Sequence, residues 1–351
     1  MFMSIEKNYY GSMEDGKQVH IYTLTNSSGI KAGIIDYGGA VVSLQVPGKD
    51  GKTADVVLGY DTLEQYLEGD VFLGALIGRH ANRIEDAEFE LGGNVYHLAK
   101  NDNGNHLHGG IKGFDKVVWQ SEIISGPDGQ ALQLKYRSPD GEENYPGNLD
   151  VKVAYTLTEA NELKIEYYAV SDKDTVINLT NHTYFDLSGH ERGSILNHQL
   201  RINADKFTII DNEGIPTGEI KDVTGTPMDF TALTTISKGI DSPDEQIVCG
   251  GGYDHNWVLK VSGNKPEFAA ELFDPESGRR MEVYTDKPGI QFYSGNFLAG
   301  QKGKGGAVYS KRSGLCLETQ YFPNAMKHKH FPSPVLKAGD EYRYTTIYKF
   351  L

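Results

Sequence analysis

The stretch VHIYTLTNSSGIKAGIIDYGGAVVSLQVP, residues 19–47, decides how this chain should fold. Apolar and polar side chains alternate along three runs, which the short segments NSSG and YGG separate. A period of two places every second side chain on the same face of a strand, as a half-buried strand requires. The glycine, asparagine and serine between the runs favour tight turns. The stretch therefore predicts a meander of short antiparallel strands.

The same alternation continues along the chain. FELGGNVYHL (residues 89–98) predicts a hairpin around its glycine pair, and TLTEANELKIEYYAV (residues 156–170) predicts another with its turn near Ala160 and Asn161. The final EYRYTTIYKFL is rich in tyrosine and threonine, which favour strands. One short helix is expected in DTLEQYLEG, with Asp61 as its N-cap.

The domain organisation follows from what the pattern lacks. No long segment has the 3.6-residue period of a helix, no Pro-rich or Ser-rich linker interrupts the chain, and no shift in composition marks a boundary. Strand signals recur at fairly even spacing from end to end, as in large sandwiches and barrels. We therefore expect one all-β domain over residues 1–351, built of many antiparallel strands.

Composition narrows the class of protein. The 351 residues carry 34 basic and 48 acidic side chains, a net charge of −14. Nucleic acid and anionic membranes attract basic surfaces, so neither is an expected partner. No run approaches 18 apolar residues, and MFMSIEKNYY has no signal-peptide pattern. Two cysteines without a CxxC motif, Cys249 and Cys316, predict small buried side chains in a reducing, cytoplasmic compartment.

A histidine stands where one strand face turns polar. In TVINLTNHTYFDLSG (residues 175–189), alternation places Asn178, Thr180, His182 and Tyr184 on the same face. The reference pKa of histidine lies near neutrality, so His182 on a partly enclosed face is suited to proton donation. A structural histidine with satisfied hydrogen bonds is the alternative, and the residues alone leave both open.

A glutamate lies inside an otherwise apolar strand. GLCLETQYFPNA (residues 314–325) places Glu318 on the same face as Cys316 and Gln320. A buried carboxylate is costly unless it is paired or hydrogen-bonded, and burial raises its pKa, which makes it a better base near pH 7. An edge strand with Glu318 facing solvent is the alternative, but the apolar neighbours favour burial.

Two further segments gather polar side chains. In GGGYDHNWVL (residues 250–259), the glycines either bring Asp254 to the mouth of a pocket or form only a flexible loop before a strand. The second segment, GRHANRIEDAEF (residues 78–89), either binds a polar ligand or presents two solvated arginines. Its four polar residues of interest are Arg79, His80, Asn82 and Arg83.

The segment NHLHGG (residues 105–110) holds two histidines, His106 and His108, that share a strand face. Four interpretations are open: a metal-binding pair, a catalytic pair, one catalytic histidine beside one without a chemical role, or two polar loop residues. A metal needs more ligands, and the chain has no HExxH or Cys/His spacing. The pair His328 and His330 precedes two prolines and is expected in a solvated loop, so we predict no metal site.

Several blocks together carry a family resemblance. In order, NHLHGGIKGFDKVVW, NLTNHTYFDLSG, YDHNWVL, GIQFYSGNFL and LETQYFPNA resemble the aldose 1-epimerase (galactose mutarotase) family, and IDYGGAVVSLQVP is similar as well. The resemblance implies a β-supersandwich of large twisted antiparallel sheets with very little helix. It also implies an isomerase that interconverts the α and β anomers of aldohexoses such as galactose and glucose, with no cofactor and no metal.

The resemblance also assigns roles to residues. It implies Glu318 as catalytic base, His182 as catalytic acid and His108 as a second active-site histidine. His106 departs from the family's motif, which weakens a catalytic role for it. The implied substrate-binding residues are Asn82, Arg83, Asp254 and Gln291.

The implied chemistry is acid–base. A base takes the proton of the C1 hydroxyl while an acid protonates the ring oxygen, the open aldehyde rotates about C1–C2, and the ring closes on the other face. This predicts an ionised Glu318 and a protonated His182, on opposite sides of the hemiacetal, with Phe292 or Tyr184 covering an apolar sugar face. A non-catalytic sugar-binding protein, a hexose-phosphate epimerase and a glycosidase with two carboxylates remain alternatives. The preferred sugar and the oligomeric state are not encoded in a recognisable pattern.

Overall fold

The computed structural model describes residues 4–351, and strands dominate it. The strands of the first half are β1 Ser4–Ser12, β2 Gln18–Thr25, β3 Lys31–Ile35, β4 Val41–Pro47, β5 Thr53–Asp55, β6 Leu76–Ile77, β7 Arg83–Ile84, β8 Glu88–Leu91, β9 Asn94–His97, β10 His106–Leu107, β11 Gln120–Gly126, β12 Gly129–Ser138, β13 Leu149–Leu157, β14 Glu162–Ser171, β15 Thr175–Val176 and β16 Thr180–Asn181.

The second half continues in the same way. Its strands are β17 Tyr184–Phe185, β18 Gln199–Ile202, β19 Lys206–Ile210, β20 Pro216–Asp222, β21 Thr234–Thr235, β22 Asp254–Val258, β23 Glu267–Phe273, β24 Arg280–Thr285, β25 Gly289–Tyr293, β26 Ala299–Lys302, β27 Val308–Ser310, β28 Leu315–Gln320, β29 Val335–Leu336 and β30 Glu341–Phe350.

Two short α-helices interrupt the strands of the described chain. The helix expected at residues 61–69 is α1, Leu63–Glu68, but its N-cap is Thr62 and not Asp61. Thr62 accepts from the Gln65 amide while the Gln65 side chain caps the Thr62 amide, a reciprocal arrangement that Asp61 is one residue too early to make. The second helix, α2, is Glu245–Gly250 and was not predicted. Within residues 4–351 no helix is long and apolar enough to cross a membrane.

The predicted meander is the start of a five-stranded sheet. Strands β1 to β5 pair in chain order, each antiparallel to the next. The predicted hairpins also form, β8 with β9 and β13 with β14. The last strand, β30, lies in the middle of a nine-stranded sheet of order β11-β12-β13-β14-β30-β24-β23-β18-β21. Alternation therefore predicted these elements correctly.

A six-stranded sheet, ordered β17-β28-β25-β22-β19-β20, carries the polar face of interest. Its inner strands are antiparallel, with β28 paired to both β17 and β25. The opposite face of this sheet packs into a large apolar cluster that also draws on the five-stranded and nine-stranded sheets. That cluster runs from Tyr22 near one end of the chain to Phe350 near the other. The fold is thus all-β, made of large antiparallel sheets with little helix, as predicted.

The segment 175–189 is not one continuous strand. It forms three two-residue strands, and each pairs with a different partner: β15 with β29, β16 with β6, and β17 with β28. The chain therefore passes from one part of the fold to another within fifteen residues. His182 lies between β16 and β17, where that passage brings it beside β28.

Candidate active site

One pocket gathers most of the residues singled out from the sequence. It opens beside the face of β28 that carries Glu318 and has a volume of about 540 Å³, including the part open to solvent. Its lining residues are Asp70, Val71, Phe72, Asn82, Arg83, Leu107, His108, His182, Tyr184, Asp254, Tyr293, Phe297 and Glu318.

Glu318 lies in the closed end of the pocket. It is 2% exposed and stands on β28 directly opposite Gln291 of β25, and its neighbour on the same face is Cys316. Burial raises the pKa of the Glu318 carboxyl well above its usual value, and the charge of Asp254 raises it further, while Arg83 opposes the shift. Its Oε2 atom makes no hydrogen bond to the protein. A carboxyl with a raised pKa that lines a pocket is suited to proton transfer near neutrality.

His182 faces Glu318. Its Nε2 lies 3.7 Å from Glu318 Oε1, and its Nδ1 lies 3.5 Å from the Sγ of Cys316. Burial lowers the pKa of His182 to about 4. Burial therefore works against the predicted starting state, an ionised Glu318 with a protonated His182, because it disfavours both charges. The short separation also leaves no room for a sugar ring between the two groups, so the pair does not flank a hemiacetal from opposite sides.

His108 completes a cluster of three with His182 and Glu318. Its ring meets that of His182 edge-on, with centroids 5.2 Å apart. His108 adopts φ 51°, and its Nδ1 accepts a hydrogen bond of 3.1 Å from the backbone N–H of Asn82. Gly109 follows at φ 86°, and a Cβ there would lie 1.9 Å from the carbonyl oxygen of Gly78. Only glycine permits this close approach, which brings the His108 backbone against the neighbouring segment.

Arg83 is held by two carboxylates. Its Nε donates to Asp102 Oδ2 at 2.7 Å, and its Nη1 lies 3.8 Å from Asp254 Oδ2. Asp102 comes from the loop that precedes β10, the strand that pairs with β7, and Asp254 begins β22. Asn82 precedes Arg83 at φ 64°, a conformation that asparagine tolerates better than most residues. The Asp102 contact leaves the end of the guanidinium directed at the pocket.

Hydrogen bonds between side-chain amides hold Asp254 in place. Gln291 Nε2 donates to Asp254 Oδ1 at 2.7 Å, and the Oε1 of Gln291 accepts from Gln320 Nε2 at 3.0 Å. Gln320 also receives a longer contact, 3.5 Å, from Asn82 Nδ2. Gln291 does not itself line the pocket; it holds a residue that does. Burial raises the pKa of Asp254, although Arg83 and Gln291 oppose that shift.

Comparison with known proteins places this pocket in a family. A family model for aldose 1-epimerase matches residues 20–349. A galactose mutarotase of Sus scrofa is 43% identical over 349 residues, which cover 99% of each chain. The aldose 1-epimerase of Escherichia coli K12 is 38% identical over 339 residues, 96% of each chain. The crystal structure of a galactose 1-epimerase from Lactobacillus acidophilus superposes with a TM-score of 0.86 at 30% identity over 99% of both chains. This chain belongs to the aldose 1-epimerase family.

Two of the polar residues singled out from the sequence, Arg79 and His80, do not line the pocket of this aldose 1-epimerase family member. Arg79 is buried, and its guanidinium donates to the carbonyls of Pro146 and Gly147 at 2.8 and 3.0 Å. His80 is fully buried and is not part of the lining. Both the ligand-binding interpretation and the solvated one are wrong for Arg79, because it is buried and its Nη1 binds backbone carbonyls of a loop distant in sequence.

The aromatic residues were predicted only in part. Tyr184 lines the pocket, but Phe292 packs into the core against Tyr253 and Trp257. Sequence reasoning missed Tyr293, which stands on the pocket face two residues after Gln291 and directly opposite Cys316. Alternation through GIQFYSGNFL would have found it. Phe72, Val71 and Asp70 carry no such signal, because they lie in a loop without strand periodicity.

The cluster of His108, His182 and Glu318 has the composition of a metal site. One donor atom from each lies within 4.8 Å of the others. However, Nδ1 of His108 already accepts a backbone N–H, so the proton of the neutral ring sits on Nε2, the nitrogen left for the pocket. A protonated nitrogen has no lone pair for a metal. The aldose 1-epimerase pocket is therefore better suited to hydrogen-bond a ligand than to bind a cation, and the prediction of no metal stays a prediction.

The remaining sequence candidates lie elsewhere. His328 and His330 lie in a loop, as predicted, and His330 is exposed; their Nε2 atoms contact the carbonyl oxygens of Pro216 and Gly218, each at 2.9 Å. Cys316 is buried as predicted, whereas Cys249 is only partly buried.

Proposed function

We propose that this chain interconverts the α and β anomers of aldohexoses such as galactose and glucose, with Glu318 as catalytic base and His182 as catalytic acid. The observation that carries the proposal is the short separation of the two, Glu318 Oε1 to His182 Nε2 at 3.7 Å, in the closed end of the pocket. Membership of the aldose 1-epimerase family supports the same reaction.

The reaction suits two adjacent groups. The C1 hydroxyl and the ring oxygen are bonded to the same carbon, so a base and an acid side by side reach both from one end of the sugar. Glu318 removes the hydroxyl proton while His182 protonates the ring oxygen, which opens the ring to the aldehyde. Rotation about C1–C2 and the reverse transfers close it on the other face. Each positioned group contributes roughly 10²–10⁴-fold, and both return to their starting states.

The bound sugar would set the charges of the pair. In the pocket, burial favours an uncharged carboxyl on Glu318 and an uncharged ring on His182. A sugar hydroxyl that donates to the Glu318 carboxyl from the pocket stabilises the carboxylate and lowers its pKa. The proton of the carboxyl is then available to His182, which lies close enough to receive it. Substrate binding thus prepares the ionised base and the protonated acid together.

The other polar residues are assigned to sugar recognition. Asn82, Arg83 and Asp254 present donors and acceptors to the pocket, the pattern that hydroxyl groups need. Gln291 acts on the sugar through Asp254, whose carboxylate it orients. We assign His108 to the active site as a hydrogen-bond donor near the ring oxygen.

A free sugar is favoured over a sugar phosphate. A phosphate site needs clustered arginine or lysine side chains. Of the pocket residues, Arg83 alone is basic besides the histidines, and Asp102 and Asp254 already neutralise it. We infer a small neutral aldohexose as partner, in the cytoplasm, and one domain over residues 1–351.

Polarimetry of freshly dissolved α-D-galactose tests the proposal. The wild-type protein is expected to speed the approach to anomeric equilibrium, and Glu318→Gln is expected to lower kcat by at least 10²-fold. Glu90→Gln, which alters an exposed glutamate on β8, is the matched control and should leave the rate unchanged. Galactose binding in calorimetry without rate enhancement by the wild type would instead indicate a sugar-binding protein. An unchanged rate in Glu318→Gln would remove Glu318 as the base.

A further inference from the structure

The two pocket histidines differ in the group that faces Nδ1. For His108 that group is the backbone N–H of Asn82, at 3.1 Å. For His182 it is the thiol of Cys316, at 3.5 Å. A backbone amide can only donate a hydrogen bond, whereas a thiol donates through S–H or accepts through sulfur. The chemistry open to each ring follows from this difference.

A histidine that delivers a proton from Nε2 must carry a second proton on Nδ1, since the ring would otherwise become an anion. That second proton needs an acceptor, because an unpaired buried N–H is costly. The Asn82 amide offers His108 a second N–H instead of a lone pair. His108 therefore stays a neutral ring that donates a hydrogen bond from Nε2 and does not give its proton away.

His182 has the acceptor that His108 lacks. With the neutral ring protonated on Nδ1, that N–H donates to the sulfur of Cys316, and the unprotonated Nε2 faces Glu318. When Nε2 takes the proton of Glu318, the ring carries both protons and sulfur still accepts from Nδ1. After Nε2 gives its proton to the ring oxygen, the remaining proton stays on Nδ1, still bonded to sulfur. Burial raises the pKa of the Cys316 thiol well above its usual value, so it remains a neutral thiol throughout.

We propose that Cys316 is a positioning residue for the proposed reaction: its sulfur accepts the Nδ1 proton of His182 and so enables His182, and not His108, to transfer the proton. This rests on the proposed function. Cys316 lies two residues before Glu318 on the same face of β28, so one strand positions both the base and the partner of the acid. The other groups facing the His182 ring are Phe72, His108, Tyr184, Tyr293 and Glu318.

Two substitutions of the thiol separate its hydrogen bonding from its packing. Cys316→Ser keeps a group that both donates and accepts, whereas Cys316→Ala keeps neither. In polarimetry we expect Cys316→Ala to lower kcat about 10- to 100-fold with KM within about twofold, and Cys316→Ser to recover most of that loss. Cys249→Ala, at the partly buried second cysteine, is the control and should match the wild type. Wild-type kcat in Cys316→Ala, or equal losses in both Cys316 variants, would overturn the proposal.

Nitrogen-15 NMR of the imidazole rings tests the same inference without turnover. On acidification, we expect the His182 ring to become doubly protonated in the wild type and in Cys316→Ser, and only at a lower pH in Cys316→Ala. Nδ1 of His108 should stay unprotonated for as long as the protein is folded. An identical His182 midpoint in wild type and Cys316→Ala, or uptake at His108 as readily as at His182, would contradict the proposal. If the wild type fails to accelerate mutarotation, the proposed function fails while these spectra still decide the role of the thiol.

Discussion

His106 and His108 stand two residues apart, and both are buried, at 0% and 7% exposure. Nδ1 of His106 donates to the carbonyl of Ala99 at 2.9 Å, and its Nε2 accepts from the hydroxyl of Tyr145 at 2.7 Å. Nδ1 of His108 accepts from the Asn82 amide, and its Nε2 is left for the pocket. The two rings therefore carry their proton on opposite nitrogens, one fixed inside the protein and one presented to a ligand.

The difference shows how to separate a structural histidine from a functional one. A buried ring whose two nitrogens both bind protein groups has nothing left to offer a ligand. A free nitrogen is not sufficient, however. Both nitrogens of His80 lack a hydrogen-bond partner, yet His80 is fully buried and does not line the pocket. A functional histidine needs a free nitrogen and a cavity in front of it.

Among the tests of this comparison, the largest effect is expected from His108→Asn. The shorter side chain removes the Nε2 hydrogen-bond donor from the pocket, so we expect kcat to fall about 10²-fold in polarimetry. Asparagine tolerates the positive φ of this position, so the melting temperature should stay within a few degrees of the wild type. A variant with normal turnover would show that the free nitrogen of His108 has no role in the reaction, and the comparison would fail.

The converse change, His106→Asn, is expected to lower stability and spare turnover. Loss of two buried hydrogen bonds should reduce the free energy of unfolding by about 1–3 kcal/mol, measured by urea denaturation at pH 8. Burial lowers the pKa of His106 below 6.5, so as pH falls below 6.5 the unfolded chain takes up a proton that the folded one does not. The wild type thus loses stability on acidification, and the deficit of the variant should shrink at pH 5. A loss of kcat matching that of His108→Asn would contradict the comparison.

A third test addresses Arg83, on the strand β7 that pairs with β10 of the His106–His108 segment. Asp102→Ala removes the charged acceptor of Arg83 Nε, so the guanidinium should lose its fixed direction. We expect KM for galactose to rise about tenfold with little change in kcat, because a charge-assisted hydrogen bond contributes about 1.5–3 kcal/mol and only part of it reaches the sugar. Asp222→Ala, on the exposed end of β20, is the control. An unchanged KM would mean that Asp254 alone positions Arg83.

The smallest effect is expected from Tyr145→Phe. The ring stays in its contacts with Phe89 and His106, but Nε2 of His106 loses its donor. The free energy of unfolding should fall by about 1 kcal/mol, and kcat should be unchanged. Tyr9→Phe, at an exposed tyrosine of β1, is the matched control. If Tyr145→Phe and Tyr9→Phe have the same free energy of unfolding, the hydroxyl of Tyr145 does not hold His106.

The sequence predicts local geometry well here and long-range geometry poorly. Alternation placed Cys316, Glu318 and Gln320 on one face of β28, and they do share it, because strand periodicity is a local property. It failed for residues 175–189, where three different partners divide one alternating run into three strands. Pairing partners are chosen by tertiary structure, which a single run does not record.

The candidate site shows the same limit. The residue types suited to proton transfer, Glu318 and His182, stand out in their own segments because each interrupts an apolar or alternating run. Asp102 and Cys316 do not, since the importance of each depends on a contact with a residue 19 or 134 positions away. The sequence predicts Cys316 only as a small buried side chain, and it does not indicate which nitrogen of His182 the thiol contacts.

The rim of the pocket differs from its closed end in how freely it can change. Phe297 is 63% exposed at the mouth and packs against the ring of Tyr293. Glu318, Gln291 and Gln320 are buried, and the two glutamines are hydrogen-bonded to each other. Exposed positions tolerate most substitutions within about 0.5 kcal/mol, whereas buried hydrogen-bonded ones do not. Natural or laboratory selection can therefore change which sugar enters through substitutions at the rim, while the proton-transfer residues Glu318 and His182 stay the same.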